Sequence, residues 1–273
     1  MSFNLDLYQS AWLNIRQNKI INFQSNLIHP VNLSIFKTTP STNTKLWSLI
    51  DRGIKLPTGA IALQQTAGKG QWGHSWVSAV GGLYLSVALD LDLAIANYPH
   101  LVMATAWGIA TVLRSYDLPV TIKWSNDLIL DRRKLGGIKI ETRNNKNKLS
   151  KAVVGVGINW HNTVPEPGIN LESYYQQQGT RTINSLEELT AITAYGILFG
   201  YQYYLTFGIE ELLNKYLEIL SSLSQQVNIN GCSGEVIGVT TDGKLRVKLR
   251  SPGATTEIVL SPGQISLGYQ SIP

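Results

Sequence analysis

Residues 118–160 read LPVTIKWSNDLILDRRKLGGIKIETRNNKNKLSKAVVGVGINW, and this stretch decides the fold. Short runs rich in Val, Ile and Leu alternate with turn chemistry, the pattern of strands joined by tight connections. Residues 120–124, 128–130 and 137–141 read as three compact strands, and an Asn- and Lys-rich loop at 143–148 leads into a fourth at 152–160. Upstream, 59–65 and 82–89 also read as strands, the second with Leu83, Leu85, Val87 and Leu89 alternating against other residues. Helical spacing over 41–51 and 100–116 sets helices between them. The whole predicts an α/β (α+β) domain, a mixed β-sheet with helices packed on it.

Outward from that centre, residues 162–184 are rich in Pro, Gly and Gln and read as an exposed excursion. Helices follow at 185–206 and 209–221, the first opened by Ser185-Leu-Glu-Glu188, a capping box. Residues 189–209 carry no charge, but three glycines, three threonines and four tyrosines mark a buried core helix rather than a membrane span. Beyond it, short β-type runs at 226–230, 235–240, 245–250, 257–260 and 264–269 are separated by Asp242-Gly243, Ser251-Pro-Gly253 and Ser261-Pro-Gly263. They predict a small C-terminal β-barrel of SH3-like size. The expected division is an N-terminal extension at 1–36, a large domain at 37–225 and the small domain at 226–273.

Composition removes several classes. Hydrophobic residues are 44% and charged ones 15% of 273 residues, which excludes intrinsic disorder. One cysteine, Cys232, excludes an internal disulfide framework or a Cys-based zinc site and fits a reducing, cytoplasmic setting. The start of the chain has no signal-peptide core. The net charge of +5 is spread out, without the clustered basic face of a nucleic-acid binder.

Four segments carry candidate chemistry. In Thr66-Ala-Gly-Lys-Gly-Gln-Trp-Gly-His-Ser-Trp76, the glycines free backbone N–H groups to face an anion and Lys69 adds charge; a flexible hairpin connection is the plainer reading. It is neither a Walker A loop nor a Rossmann fingerprint. Lys123-Trp-Ser-Asn-Asp127 ends an apolar strand with a lysine, an amide and a carboxylate, or simply makes an Asn-Asp turn. Lys134-Leu-Gly-Gly137 enters a strand with an ammonium suited to carboxylate or phosphate oxygens, or forms a solvated turn. Gly155 and Gly157 lie inside a strand, where a bare backbone admits close approach by a ligand or by packing neighbours.

Taken in order and at these intervals, Ser41-Thr-Asn43, the Gly-Lys-Gly loop with Trp76, Lys123-Trp-Ser-Asn-Asp127, Lys134-Leu-Gly-Gly137 and Gly155-Val-Gly-Ile-Asn159 resemble the biotin–protein ligases. The resemblance runs from about Phe36 to Tyr269. It implies a class II aminoacyl-tRNA-synthetase-like sheet with an SH3-like C-terminal domain, and a two-step reaction. Biotin and ATP, with Mg²⁺ on the phosphates, give biotinyl-5′-adenylate; a lysine of a biotin carboxyl carrier domain, as in acetyl-CoA carboxylase, then takes the biotin. By the same resemblance Ser41, Thr42 and Asn43 line the ureido end and Gln65 lies near the biotin. Gly68, Lys69, Gly70 and Gln71 cover biotin and phosphates, and Trp76 closes a wall. Lys134 contacts carboxyl and α-phosphate oxygens, while Asn126 and Asp127 orient ATP with its metal or the incoming amine. Lys123, Gly136, Gly137, Gly155, Gly157 and Asn159 complete the implied binding set; Lys134, Asp127 and Lys69 are the implied catalytic residues.

Departures are visible. Gln71 and His74 stand where the family commonly has arginine, which predicts weaker anion binding by the loop, and Ser125 stands where proline is usual. Residues 1–36 are too few for the winged helix-turn-helix of the repressor-type members, so a monofunctional ligase without DNA binding or membrane attachment is expected. A homodimer stays open. The alternatives are a lipoate–protein ligase or octanoyltransferase, and a non-catalytic scaffold that holds biotin or a carrier.

Overall fold

The computed structural model describes residues 3–17, 28–251 and 254–269. Seven strands form one sheet: β1 (Asn32–Phe36), β2 (Thr58–Ala62), β3 (Leu83–Ala94), β4 (Thr121–Lys123), β5 (Asp127–Leu130), β6 (Arg133–Asn145) and β7 (Lys148–Ile158). Their order is β1-β2-β3-β7-β6-β5-β4. Only β1 and β2 run parallel; every other pair is antiparallel. Among the described residues five α-helices accompany them: α1 (Leu5–Gln17), α2 (Thr42–Asp51), α3 (Tyr98–Arg114), α4 (Leu171–Gln178) and α5 (Leu186–Glu218).

Both faces of the central strands are covered, and alternate residues show it. Ile61, Val87 and Val154 join the large core under α3 and α5. Their neighbours Ala60, Ala88 and Val153 pack instead with Leu46 and Ile50 of α2 on the other face. This is the period-two geometry of a strand expressed as two separate cores.

The first part of the uncharged stretch, residues 189–200, forms the buried part of α5, while Leu205 and Phe207 near the end of the stretch are exposed. Its contact with α3 is built from small residues: a Cβ at Gly200 would lie 2.8 Å from the Ala104 carbonyl carbon, and one at Gly108 would lie 2.7 Å from the Gly200 Cα. Thr190 and Thr193 satisfy their hydroxyls on the carbonyls of Leu186 (2.6 Å) and Leu189 (2.7 Å), so these two hydroxyls need no water there. Ser185 caps the helix by accepting from Glu188 N at 3.0 Å, and Glu188 reaches back to Asn184 N at 2.8 Å. Gly208, at φ 78°, breaks the helix where the sequence predicts two.

Four differences from the sequence reading have physical reasons. Strands β6 and β7 extend through the Asn- and Lys-rich segment, because only Lys146 and Asn147 are needed for the turn and Asn145 pairs with Lys148. The segment 162–184 is not an exposed excursion. Ile169, Leu171, Tyr175 and Ile183 are buried, and α4 is capped by Asn170 and closed by the left-handed Gly179. Within 1–36, α1 sets Tyr8, Trp12 and Ile15 into the main core and β1 is the first strand of the sheet, so the described parts of that segment belong to the large domain. Finally, the small C-terminal sheet has four strands, β8 (Gln226–Ile229), β9 (Cys232–Val239), β10 (Leu245–Ser251) and β11 (Ala254–Leu260). Residues 264–269 are not a fifth: after the turn at Gly263 (φ 90°) they run toward the large sheet, with Leu267 buried.

Candidate active site

Register places the site. Ala60, Ser86, Gly155 and Lys139 lie opposite one another across β2, β3, β7 and β6, and Ala62, Tyr84, Gly157, Gly137 and Asp127 form the next row. Partners across a ladder share a face, so small residues in both rows leave a bare trough on the α2 side of the sheet. The trough is a cavity of about 60 Å³ lined by Ser41, Thr42, Asn43, Gln65, Lys69, Gly70, Gln71, Trp76, Asn126, Asp127, Lys134, Gly137, Gly155 and Gly157. Gly155 and Gly157 have a steric reason to be glycine. A Cβ at Gly155 would lie 2.9 Å from Asn43 Cγ, and one at Gly157 would lie 2.5 Å from Trp76 Nε1.

One end of the cavity is neutral and polar. Ser86 is fully buried and Ser41, Thr42 and Asn43 are each 4% exposed. Ser86 Oγ donates to Asn43 Oδ1 (2.6 Å) and lies 2.7 Å from Thr42 Oγ1. Thr42 donates through N (2.8 Å) and Oγ1 (3.1 Å) to Gln65 Oε1, and Gln65 Nε2 donates to Ser78 Oγ (2.9 Å). These residues come together because Ser41 and Thr42 open α2 directly beside the end of β2.

The other end is charged. Between Leu128 and Ile129 the β5–β6 ladder shifts by one residue, bringing Lys134 opposite Ile129 and Gly137 opposite Asp127. Lys134 Nζ then lies 2.8 Å from Asp127 Oδ1 and 5.5 Å from the Trp76 ring centroid. The 162–184 segment fixes this strand: Lys134 N donates to Pro167 O (3.0 Å), and Ile169 N to Lys134 O (2.9 Å). Beyond Trp76 and Lys134 lies a second cleft of about 190 Å³, lined among others by Val77, Asn159, Asn162, Val164 and Gly168. Lys134 therefore faces two clefts at once.

The glycine-rich loop folds over the trough. Gly70 N donates to His74 O (2.7 Å) and Trp76 N to Gly68 O (2.9 Å), closing a small hairpin. Gln71 Nε2 donates to Ile138 O (3.3 Å) and Lys69 Nζ to Thr44 Oγ1 (3.2 Å). The Trp76 indole Nε1–H is buried without a hydrogen-bond partner among the described residues.

Four expected residues stand outside the cavity. Gly68 and Gly136 are closely packed: a Cβ at Gly68 would lie 3.2 Å from Gln65 Nε2, and one at Gly136 would lie 2.6 Å from Gly157 O. Asn159 donates to Ile169 O (3.2 Å) and Lys134 O (3.4 Å), supporting the lysine strand, and borders the second cleft. Lys123 points away, its Nζ 3.6 Å from the Tyr269 ring centroid, and burial pushes its ammonium pKa down against the pull of Asp127. Asn126 does line the cavity, but its Nδ2 is bound to Ile138 O at 2.8 Å. Sequence reasoning missed Ser86, Lys139 and Tyr269. Lys139 lines the trough and donates to Gly70 O at 3.0 Å, a cation supplied from β6 to a loop short of arginines.

With this geometry in view, the comparisons are specific. Residues 35–159 match the model of the biotin/lipoate A/B protein ligase family. It is 34% identical over 159 residues to the bifunctional ligase/repressor BirA of Escherichia coli, covering 52% of this chain and 48% of that protein. It is 29% identical over 133 residues to the biotin–[acetyl-CoA-carboxylase] ligase of Paracoccus denitrificans, covering 44% of this chain and 51% of that one. The chain thus spans about half the length of these curated relatives. In fold it is similar to the biotin protein ligase from Aquifex aeolicus in complex with biotin and ATP, with a TM-score of 0.68 at 23% identity, covering 88% of this chain and 99% of that one. The large sheet is thus of the class II synthetase-like kind expected. No helix among the described residues is long and apolar enough to cross a membrane.

Proposed function

We propose that the chain is a biotin–protein ligase: it condenses biotin with ATP to biotinyl-5′-adenylate and pyrophosphate, then passes the biotinyl group to a lysine of a carboxyl carrier domain. The observation that carries this is the position of Lys134, between a polar-ended trough and a second cleft, on Asp127. In the first step a carboxylate oxygen attacks the α-phosphorus, a P–O bond forms, and pyrophosphate leaves with the electron pair of the broken bond. Two anions must approach, and the Lys134 ammonium, one of its donors kept by Asp127, offsets their repulsion through the others. In the second step the carrier's neutral ε-amine attacks the acyl carbon, AMP leaves, and the amine gives up a proton as the amide forms.

The trough suits the substrate. A ureido ring offers two N–H donors and a carbonyl acceptor to the Thr42, Asn43, Ser86 and Gln65 group, while the thioether ring and valeryl chain lie on bare glycine backbone beside Trp76. Lipoate has no hydrogen-bonding ring to place at the polar end, so it forgoes the bonds a ureido ring would make there, at about 1 kcal/mol each. The nucleotide is assigned to the second cleft. Mg²⁺ enters with its phosphates: among the described residues no cluster of three or more His, Cys, Asp or Glu side chains could cage a metal. The acceptor is a biotin carboxyl carrier domain, by analogy with the Paracoccus relative that of acetyl-CoA carboxylase, in the cytoplasm.

The test is ATP–pyrophosphate exchange with purified protein, with biotin and lipoate in parallel. Exchange with biotin alone is expected. Exchange with lipoate alone would move the assignment to the lipoate branch of the family. Biotin binding without exchange would leave a non-catalytic scaffold.

A further inference from the structure

We infer that Tyr269, carried by the segment that follows the small sheet, is a positioning residue for the adenylating centre: its hydroxyl fixes the carboxylate that holds Lys134, and its ring keeps Lys123 off that carboxylate. The inference rests on the ligase reading above.

Tyr269 Oη donates to Asp127 Oδ2 at 2.8 Å, across 142 positions of sequence. The other oxygen, Oδ1, accepts from Lys134 Nζ at 2.8 Å. With both oxygens engaged from different directions, the carboxylate cannot turn about its χ2 bond without losing one partner, so the lysine it anchors is fixed relative to both clefts. The ring does separate work. Lys123 lies directly opposite Asp127 in the β4–β5 ladder and would otherwise compete with Lys134 for the same carboxylate. Its Nζ sits instead 3.6 Å from the Tyr269 centroid, a cation–π contact. Burial, reinforced by the Asp127 charge, holds the Tyr269 hydroxyl well above its usual range, so it remains a neutral donor at any working pH. The segment is itself anchored, by Leu267 at 4% exposure and by Gly263, where a Cβ would lie 3.2 Å from the Trp72 ring of the glycine-rich loop.

The test uses the full chain in biotin-dependent pyrophosphate exchange. Tyr269→Phe keeps the ring and removes the hydroxyl; Tyr269→Ala removes both. Loss of one hydrogen bond to a charged group predicts a kcat about tenfold lower for Tyr269→Phe, with the KM for biotin within about twofold and the thermal midpoint lower by no more than about 5 °C, and a larger loss for Tyr269→Ala. Because the effect passes through Asp127, Tyr269→Phe should cost nothing further in an Asp127→Ala background, followed by single-turnover adenylate formation. An unchanged kcat in Tyr269→Phe, a loss confined to KM, or an equal loss in the Asp127→Ala background would each overturn the inference while leaving the ligase reading standing. No exchange in the unsubstituted protein would remove the reading and the inference together.

Discussion

Gly155→Ala puts a methyl group where the polar end of the trough has no room for it. The new Cβ would lie 2.9 Å from Asn43 Cγ and 3.1 Å from its Nδ2, against ordinary contacts near 3.5–4.0 Å. Asn43 is not a free surface group. Its Oδ1 accepts from the fully buried Ser86 at 2.6 Å, and its Nδ2 reaches Lys139 O at 3.5 Å. Relief requires the amide to swing away, breaking the Ser86 bond and removing one donor or acceptor from the ureido position. The Ser86 bond is lost in the free and the bound variant alike and costs stability, so only the ureido hydrogen bond, at about 1 kcal/mol, weakens binding, giving a Kd for biotin about fivefold weaker. Gly268→Ala, with nothing within 4 Å of its Cβ, is the control. Isothermal titration with biotin measures both, and thermal unfolding checks that the variants fold. A Gly155→Ala protein that binds biotin within threefold of the parent would refute both the steric reasoning and the assignment of Asn43 to the ligand.

Lys134→Ala should leave the protein folded and lower kcat for pyrophosphate exchange by about 10²–10³-fold, as expected for removal of one charge-stabilising donor; steady-state exchange rates decide it. Gly108→Val should lose about 3 kcal/mol of stability by urea unfolding, because its side chain enters the α3–α5 contact where no cavity receives it. His100 lies beside Tyr204, its Nδ1 2.9 Å from the hydroxyl, and burial lowers its pKa, while a Thr241 hydrogen bond and the Asp242 charge only partly oppose this. The folded state therefore binds fewer protons than the unfolded one, and stability is lost as pH falls from about 6.5 through the lower folded value. Thermal midpoints from pH 7.5 to 5 should fall more steeply in the parent than in His100→Gln, and parallel slopes would sink this.

What the sequence made legible follows a physical divide. Glycines 137, 155 and 157 declare themselves, because a bare position inside an apolar strand needs an explanation, and Lys134 beside two glycines does the same. Lys139 carried a signal that went unread: it is two residues beyond Gly137, hence on the same face of one strand. Ser86 is a lone small polar residue among Leu85 and Val87, and only the ladder shows that it faces Gly155. Lys123 was misplaced because a motif fixes spacing, not the direction in which a long side chain leaves its strand. The Pro- and Gly-rich 162–184 segment hid the pair Leu171 and Tyr175, whose four-residue spacing nucleates α4 against the core. Tyr269 could not be found at all, since its contact depends on how the last segment leaves a different sheet.

The closed loop also sets a tempo. On the ligase reading, a cavity of about 60 Å³, far below the roughly 300 Å³ or more of pockets that enclose small ligands, has to widen before biotin can enter. Entry waits for Lys139 to release Gly70 O and for the Trp76 indole to leave the glycine floor. The observed Kd is then the intrinsic Kd divided by the fraction of open molecules. Capture should saturate with ligand concentration at the rate of loop opening, and any substitution that loosens the Lys139–Gly70 clasp should speed uptake and product exchange together.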